Sequence, residues 1–572
     1  MRSAAEIRFR LRQRLASYLF FRFPPRPRLT APWPLALPDA AYPTVSAAEL
    51  GPLGEAILAH RFPLLGVEIE TGPEIRWRRD YLHGQETGLD YFFRIPYLDF
   101  AQAGDHKIIW ELNRHAHLAV LARLWRDRRE ARYRDELARQ LDSWLVANPF
   151  HRGINWASAL EVAFRALNWL WVWQWAGPDL PAGLRARFLT ALWQHGLHLE
   201  YNLSYYFSPN THLWGEALAL HALGTLFPSW PRAAAWRRLG RRVVLDCALS
   251  MLRPDGSYFE QSSYYHVYAV DFLAFHHALE PLPAAALDRL YRARIFLDAL
   301  LGPPRRLPLI GDDDGGRLFH PYGPREEFGR ASLEALASLG PLPPRPLVQV
   351  FPDAGLAVIE DPGEDPGGPD GAQILFDAGP FGSGTAGHSH ADMLAVLIRR
   401  GEEEILIDPG TYTYITDPVE RHRFRSTPAH NTIRAAETEQ ADPAGPFRWR
   451  NPPVPRLEAP LVEPGSVTLA GEFSRLGLTF HRRLLWDRPA QRLTITDTVT
   501  ADSPGPHTLE QFWHLGSEEA RSRFSFDPRT VAAPEPAFAW RSRAFGHREP
   551  APCWVTRWEG RLPVALTTVI QL

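Results

Sequence analysis

The chain has 572 residues, and because a single hydrophobic core stops growing at about 250–300 residues, two domains are expected. Hydrophobic residues make up 45% and charged residues 22% of the sequence, which excludes an intrinsically disordered chain. The formal net charge of -2 supplies no overall positive field, which argues against nucleic acid as a partner. The two cysteines are too few for a disulfide framework or a cysteine-based zinc site.

The N-terminal segment is basic, and its apolar residues recur at helical spacing: Ile7, Leu11, Leu15 and Leu19. We interpret residues 1–46 as an amphipathic segment whose helix docks on its own protein, with attachment to a membrane surface as the alternative. The segment lacks the continuous apolar region of a signal peptide, and no stretch reaches the roughly 18 apolar residues of a membrane span. A cytoplasmic location is therefore expected ahead of a periplasmic or membrane-surface one.

Two regions with different periodicity follow. From residue 47 to 340, apolar and aromatic residues recur at helical spacing, as in ALEVAFRALNWLWVWQWA. After a proline-rich break, residues 341–572 contain short β-rich runs such as LAVIED, QILFDAG and RLTITDTVT. Helices followed by strands predict a helical domain and a separate antiparallel β domain. The chain contains no phosphate-binding glycine motif, so we expect no nucleotide cofactor.

The β region carries an unusual His388-Ser-His390 pair. On a strand, the two imidazoles would share one face, because side chains alternate with a period of two. The segment MLAVLIRRGEEEILID predicts a hairpin that turns near Arg400 and places Met393 opposite Asp408.

This register leaves His390 about three positions away from Asp408, a separation within the usual register error. We therefore expect His390, Asp408 and His430 to converge. Two histidines and a carboxylate are a common zinc ligand set that leaves a fourth position open. The alternative is that each of the three residues makes only structural hydrogen bonds.

Further polar candidates lie in the helical region. His212 and Glu216 are one helical turn apart on the same face, and Asn210 precedes them. Trp156 is suited to stack on a sugar ring, with Asn155 beside it to supply hydrogen bonds. Helix caps, an internal ion pair and core aromatic residues explain the same patterns without any function.

Taken together, these segments resemble the heparinase II/III family of polysaccharide lyases. The resemblance is carried by KIIWELNRH at 107–115, NW at 155–156, NTH at 210–212, DGSYFE at 255–260, YH at 265–266, GHSHAD at 387–392, IDPGTY at 407–412 and RSTPAHNT at 425–432. It implies an incomplete (α/α) toroid, placed at 47–340, followed by an antiparallel β-sandwich at 341–572.

The resemblance also implies β-elimination at a uronic acid of an acidic polysaccharide, the reaction of a carbon–oxygen lyase. Such a reaction requires neutralisation of the carboxylate, a base for the C5 proton and an acid for the leaving oxygen. Asn210 matches the residue that contacts the carboxylate, His212 and Tyr265 match the base and acid, and His388 matches a further active-site histidine. His390, Asp408 and His430 match ligands of a structural Zn²⁺. The predicted substrate contacts are Asn113, Arg114, Asn155, Trp156, Glu216, Glu260 and Arg425.

One position departs from the family pattern. Certain members carry a carboxylic residue three positions after the catalytic histidine, whereas this chain has Gly215 there and Glu216 one position later. Two other functions stay open at this stage: a toroidal glycoside hydrolase with two facing carboxylates, and a non-catalytic glycan-binding or biosynthesis-associated protein. The sequence also leaves open the identity of the glycan and any oligomeric assembly.

Overall fold

A computed structural model describes residues 3–42, 47–362, 371–503 and 505–572. The ends of the predicted N-terminal segment, 1–2 and 43–46, lie outside the described residues. The chain divides into two compact units. The first comprises Met1–Ser250, Tyr268–Leu287 and Gly315–Gly323, and the second comprises Met251–Val267, Asp288–Asp314 and Pro324–Leu572.

The helices fall mainly in the predicted helical region. They are α1 Ala4–Arg22, α2 Ala47–Leu58, α3 Phe100–Ala103, α4 His106–Asn113, α5 Ala116–Arg128, α6 Ala131–Ala147, α7 Ala159–Ala176, α8 Ala182–Asn202, α9 Thr211–Leu226, α10 Ala233–Met251, α11 Ser263–Leu279, α12 Ala284–Leu301, α13 Phe328–Ala335 and α14 Pro418–Arg425.

Helix α7 forms the centre of the first unit. Its sequence is apolar on nearly every side, with five tryptophans or phenylalanines among its buried residues: Phe164, Trp169, Trp171, Trp173 and Trp175. A helix of this composition must be covered all round. Helices α5, α8 and α9 pack against it.

The strands are β1 Arg61–Leu64, β2 Val67–Glu70, β3 Val348–Phe351, β4 Leu356–Asp361, β5 Ala372–Asp377, β6 Ala395–Arg400, β7 Glu403–Leu406, β8 Ile433–Ala435, β9 Asp442–Pro443, β10 Trp449–Arg450, β11 Arg456–Leu457, β12 Leu461–Glu463, β13 Ser466–Arg475, β14 Leu478–Asp487, β15 Arg492–Ala501, β16 Pro506–His514, β17 Phe524–Ser525, β18 Val531–Pro534, β19 Trp540–Ala544, β20 His547–Pro550, β21 Cys553–Arg561 and β22 Val564–Gln571. The β1–β2 hairpin lies inside the region predicted to be helical. It turns at Leu65 and Gly66, which both have positive φ.

Three antiparallel sheets build most of the second unit. Their strand orders are β3-β4-β5-β6-β7, β11-β13-β14-β15-β22-β17 with β12 beside β13, and β18-β21-β16-β8. Strand β15 alternates as predicted, with Leu493, Ile495 and Val499 fully buried.

A buried ion pair connects the sheet core to the site region. Arg482 and Asp497 face each other on β14 and β15, and two nitrogens of Arg482 lie 2.7 and 2.8 Å from the carboxylate oxygens. The remaining guanidinium nitrogen donates to the backbone oxygens of Leu394 and Asn431. The pair therefore fixes the backbone beside His430.

The structure corrects three local predictions. The predicted register would place Ile398 opposite Glu403, but Ile398 pairs with Leu406, because residues 401–402 form the turn and a bulge interrupts the ladder. The segment with His388 and His390 is a loop and not a strand. Helix α14 was not predicted, although Asp417 accepts hydrogen bonds as its N-cap and proline occupies its first turn.

Candidate active site

The carboxylate of Asp312 is the centre of a buried polar cluster in the second unit. Its side chain is fully buried and lies in the chain segment after α12. His388 Nδ1 lies 3.1 Å from Oδ2, and His390 Nε2 lies 3.0 Å from Oδ1. Arg421 on α14 binds both carboxylate oxygens, with Nη2 2.8 Å from Oδ2. One carboxylate therefore orients both rings of the His-x-His pair.

These contacts determine the charge states of the cluster. Burial by itself would raise the pKa of Asp312, but Arg421 and the two histidines outweigh it and hold that pKa well below its usual range. Asp312 is therefore a carboxylate, so His388 Nδ1 and His390 Nε2 act as donors. Burial lowers the pKa of His390 and makes its ring neutral. For His388 the nearby carboxylates of Glu260 and Asp312 outweigh burial and raise the pKa.

Tyr265 packs face to face on His388. Their ring centroids are 4.0 Å apart with an interplanar angle of 21°. Tyr265 lies in the first turn of α11, and its hydroxyl is 3.2 Å from the hydroxyl of Tyr414. Burial, together with Tyr414 and nearby acidic groups, raises the pKa of Tyr265 well above 10. The phenol is therefore protonated at neutral pH and can donate a proton.

The structure also brings His390, Asp408 and His430 together. One potential ligand atom from each residue lies within 4.8 Å of the corresponding atoms of the other two. His430 Nδ1 is 2.8 Å from Asp408 Oδ2, so its Nε2 is directed away from that contact. His390 Nδ1 and His430 Nε2 are buried and have no hydrogen-bond partner among the described residues. Two imidazole nitrogens and a carboxylate fit the ligand set of zinc.

Two other predicted contacts, Glu260 and Arg425, belong to the second unit. Glu260 accepts a hydrogen bond of 3.1 Å from the Tyr258 hydroxyl, and one of its oxygens is 3.9 Å from His388 Nε2. Arg425 donates to the backbone oxygens of Gly445 and Pro446, and its guanidinium lies over the Trp449 ring. Glu260 is thus near the Asp312 cluster, whereas Arg425 stabilises the loop that contains Gly445 and Pro446.

The remaining predicted residues lie in the first unit. Asn210 is the N-cap of α9 and accepts from the backbone N–H of His212 at 3.1 Å. The Glu216 carboxylate is fully buried and accepts hydrogen bonds of 2.7 Å from both the backbone N–H and the hydroxyl of Ser204. Burial raises the pKa of Glu216 to about 8.

Four predicted substrate contacts form part of the interior of this unit: Asn113, Arg114, Asn155 and Trp156. Arg114 forms a two-bond ion pair with Glu161, at 2.7 and 2.8 Å. The side chains of Asn113 and Asn155 both donate to the backbone oxygen of Trp77. As placed, these residues hold the helical unit together, and their contact with a glycan stays a prediction.

Comparison with known families matches both regions of the chain. The heparinase II/III N-terminus matches residues 32–289, and the heparinase II/III-like C-terminal region matches residues 343–568. The chain belongs to the heparinase II/III family. A curated relative, "Heparin-sulfate lyase" of Bacteroides stercoris, is 22% identical over 372 residues, which are 58% of this chain and 54% of that protein. The chain thus spans about half the length of this relative.

Solved structures of heparinases share the fold. The structure described as heparinase III has a TM-score of 0.70 at 14% identity, covering 98% of this chain and 89% of that chain. The heparan sulfate lyase of Pedobacter heparinus has a TM-score of 0.58 at 16% identity, covering 99% and 88%. The chondroitin AC lyase of Streptomyces coelicolor A3 has a TM-score of 0.53 at 12% identity, covering 98% and 82%. These matches confirm the predicted fold class, a helical toroid followed by an antiparallel β-sandwich.

Sequence reasoning missed three members of the buried polar cluster: Asp312, which orients both histidines, and also Tyr414 and Arg421. A usable signal existed for Arg421, because Asp417-Pro418 is a typical helix start and places Arg421 and Arg425 one turn apart. For Tyr414, the local sequence contained no comparable signal.

Proposed function

We propose that this protein is a polysaccharide lyase that cleaves a uronic-acid-containing glycan of the glycosaminoglycan type by β-elimination, leaving a 4,5-unsaturated uronate. Its family and its lyase relatives support this class of carbon–oxygen lyase. The observation that carries the proposal is the Tyr265–His388–Asp312 arrangement, because it places a protonated phenol against an imidazole ring that a carboxylate fixes in place.

In the proposed reaction, Tyr265 protonates the leaving glycosidic oxygen. Its pKa is raised by burial, so the hydroxyl keeps its proton until the developing alkoxide, a much stronger base, accepts it. Formation of the C4–C5 double bond and loss of the C5 proton accompany cleavage of the C4–O bond.

His388 would contribute positive charge beside the uronate carboxylate. Asp312 and Glu260 favour its imidazolium form, and an imidazolium stabilises the charge that develops on the carboxylate during removal of the C5 proton. For Asn210 and His212, the proposed roles as carboxylate contact and base rest on the family resemblance.

Two of the acidic residues that the hydrolase alternative would use, Asp255 and Asp312, are occupied by structural contacts. A glycoside hydrolase needs one carboxyl group that keeps its proton near neutral pH. Asp312 has a pKa well below its usual range, and Asp255 accepts backbone hydrogen bonds from Ser257, Asp353 and Ala354. Asp312 is therefore an ionised part of the buried cluster, and Asp255 is an acceptor for backbone N–H groups.

One assay separates the two activities. The purified chain is incubated with heparan sulfate, chondroitin sulfate, heparin and alginate, and both ultraviolet absorbance and new reducing ends are followed. A lyase produces both signals in equal molar amounts, because each cleavage leaves one unsaturated uronate. New reducing ends without absorbance would establish hydrolysis and overturn the proposal.

We further propose that His390, Asp408 and His430 hold a structural Zn²⁺. The support is chemical: His390 is neutral and donates through Nε2 to Asp312, which leaves the lone pair of its buried Nδ1 for a metal. A carboxylate that binds the far nitrogen of a metal-bound histidine is a common supporting contact at such sites. The ion would tie the loop with His388 to the sheet and so hold that ring in position.

A further inference from the structure

Helix α1 has two apolar faces, and the protein covers only one of them. On the inner face, Ser17 is buried and Gln13 Nε2 lies 3.1 Å from Asn202 Oδ1 on α8. Phe20 packs edge-on against Tyr201 at 5.4 Å between ring centroids, and Phe9 packs similarly on Tyr205. The helix is therefore anchored to the helical unit through residues other than the stripe predicted from the sequence.

The predicted apolar stripe instead faces outward. At 100° per residue, its members fall within a sector of about 120°. Each of the four predicted residues, and Tyr18 beside them, has between 47% and 65% of its surface exposed: Ile7, Leu11, Leu15, Leu19 and Tyr18. Scattered exposed apolar residues need no explanation, but a contiguous stripe along about three and a half turns of one helix marks a binding surface.

Positive charge accompanies this stripe. Three exposed arginines lie within or beside the same sector: Arg8, Arg14 and Arg22. Two more, Arg26 and Arg28, follow in the segment after the helix. Glu6 is the single acidic residue in the sequence from 3 to 28, and Arg10 pairs with it at 2.7 Å. Just beyond the helix, Phe23 is 74% exposed.

We propose that the outer face of α1 docks on an anionic lipid surface, with the helix lying in the plane of the interface. The apolar side chains enter the boundary between headgroups and acyl chains while the arginines bind lipid phosphates. Arginine-rich flanks match anionic lipid, whereas a contact between two copies of this face would bring like charges together. None of the described helices is long and apolar enough to cross a bilayer, so this docking is peripheral. It is independent of the proposed activity.

The test is sedimentation of the full-length protein with vesicles of phosphatidylcholine alone or mixed with phosphatidylglycerol. Binding is expected to the anionic vesicles and to weaken in high salt. The variant Leu11→Ser/Leu15→Ser is expected to lower the partition coefficient by at least about tenfold. Because both leucines are exposed, folding survives, which its unchanged thermal unfolding verifies. The matched control is Leu461→Ser/Val462→Ser on β12, where both side chains are similarly exposed; it retains full binding.

Two kinds of result would overturn the inference. One is failure of the protein to sediment with anionic vesicles, or equal loss of binding in the control variant. The other is a stable dimer in light scattering that Leu11→Ser/Leu15→Ser converts to monomer, since the stripe would then be a contact between copies of the chain.

Discussion

The Tyr265 hydroxyl is the most direct test of the proposed chemistry. Tyr265→Phe keeps the ring on His388 and removes only the proton donor, so turnover is expected to fall by about 10²-fold or more while the protein stays folded. The neighbouring Tyr264, also buried, provides the matched control Tyr264→Phe. Initial rates from ultraviolet absorbance on a responsive polysaccharide measure both. Near-normal turnover in Tyr265→Phe would remove this residue from the mechanism.

The Asp312 carboxylate is expected to be essential for stability as well as activity. Asp312→Asn keeps the volume but leaves the buried guanidinium of Arg421 without its counter-charge, which should lower the free energy of unfolding by about 3 kcal/mol. The same change at Asp288, whose ion pair with Arg292 is exposed, should cost less than about 0.5 kcal/mol. Denaturant unfolding of both variants makes the comparison. Equal effects would show that the buried network contributes little.

The proposed metal site predicts one zinc per chain. Elemental analysis of the purified protein should detect it, and His390→Ala or His430→Ala should lose it, since each variant removes one of three protein ligands. His547→Ala, at an exposed position on β20, should retain the full content. Purified wild-type protein without stoichiometric transition metal would leave the three residues as a hydrogen-bond cluster.

At the scale of elements, helix α14 positions the Arg421 guanidinium beside the Asp312 carboxylate. The Asp417 carboxylate caps this helix by accepting from the backbone N–H groups of Val419 and Glu420, at 2.9 and 3.1 Å. Asp417→Ala should cost about 1 kcal/mol of stability and reduce turnover, because a frayed first turn displaces Arg421. Asp417→Asn, which still caps, should preserve both. Thermal unfolding and initial rates test this, and identical behaviour of the two variants would contradict it.

The elements also show where periodicity was informative. The run LAVIED forms β4 and RLTITDTVT forms most of β15. Both strands were predictable, because a continuous apolar run or an alternation of apolar and polar side chains is visible in the local sequence. The hairpin at Gly401 was predicted, but its register was wrong, since a bulge depends on neighbouring strands and not on the local pattern. Helix α14 is short and rich in charged residues, so its sequence shows no helical periodicity of apolar residues from which it could be predicted.

At the scale of the whole molecule, the first unit contains many buried neutral histidines. Burial lowers the pKa of His106 to about 4 and of His117 and His151 to about 3, and it holds the pKa of His115, His195 and His198 well below 6.5. In the unfolded chain these rings bind protons at a higher pH than in the folded protein. Their contribution to stability is therefore complete above pH 6.5 and is lost as the pH falls.

Stability should consequently fall between pH 6.5 and 4, by about 2 kcal/mol at pH 5 for each histidine whose pKa falls to about 3 or 4. Buried carboxyl groups act in the opposite direction. In the first unit, burial raises the pKa of Asp105 to about 6 and of Glu216 to about 8. Denaturant unfolding across this pH range should show the net loss, and His117→Gln should flatten it while His547→Gln should not. A pH-independent stability in this range would contradict the expected burial of these rings.

The sequence by itself determined the class of each region, because a side-chain period and the proline-rich break are local properties of the chain. It also supplied the motifs that identify the family and the three residues that meet at the proposed zinc site. Tertiary structure alone decided which polar groups share a partner. Asp312 and Arg421 are 109 positions apart, and nothing in either local segment specifies their contact. The same holds for α1, whose two faces are both apolar: only packing against α8 determined which one the protein buries and which one it leaves exposed.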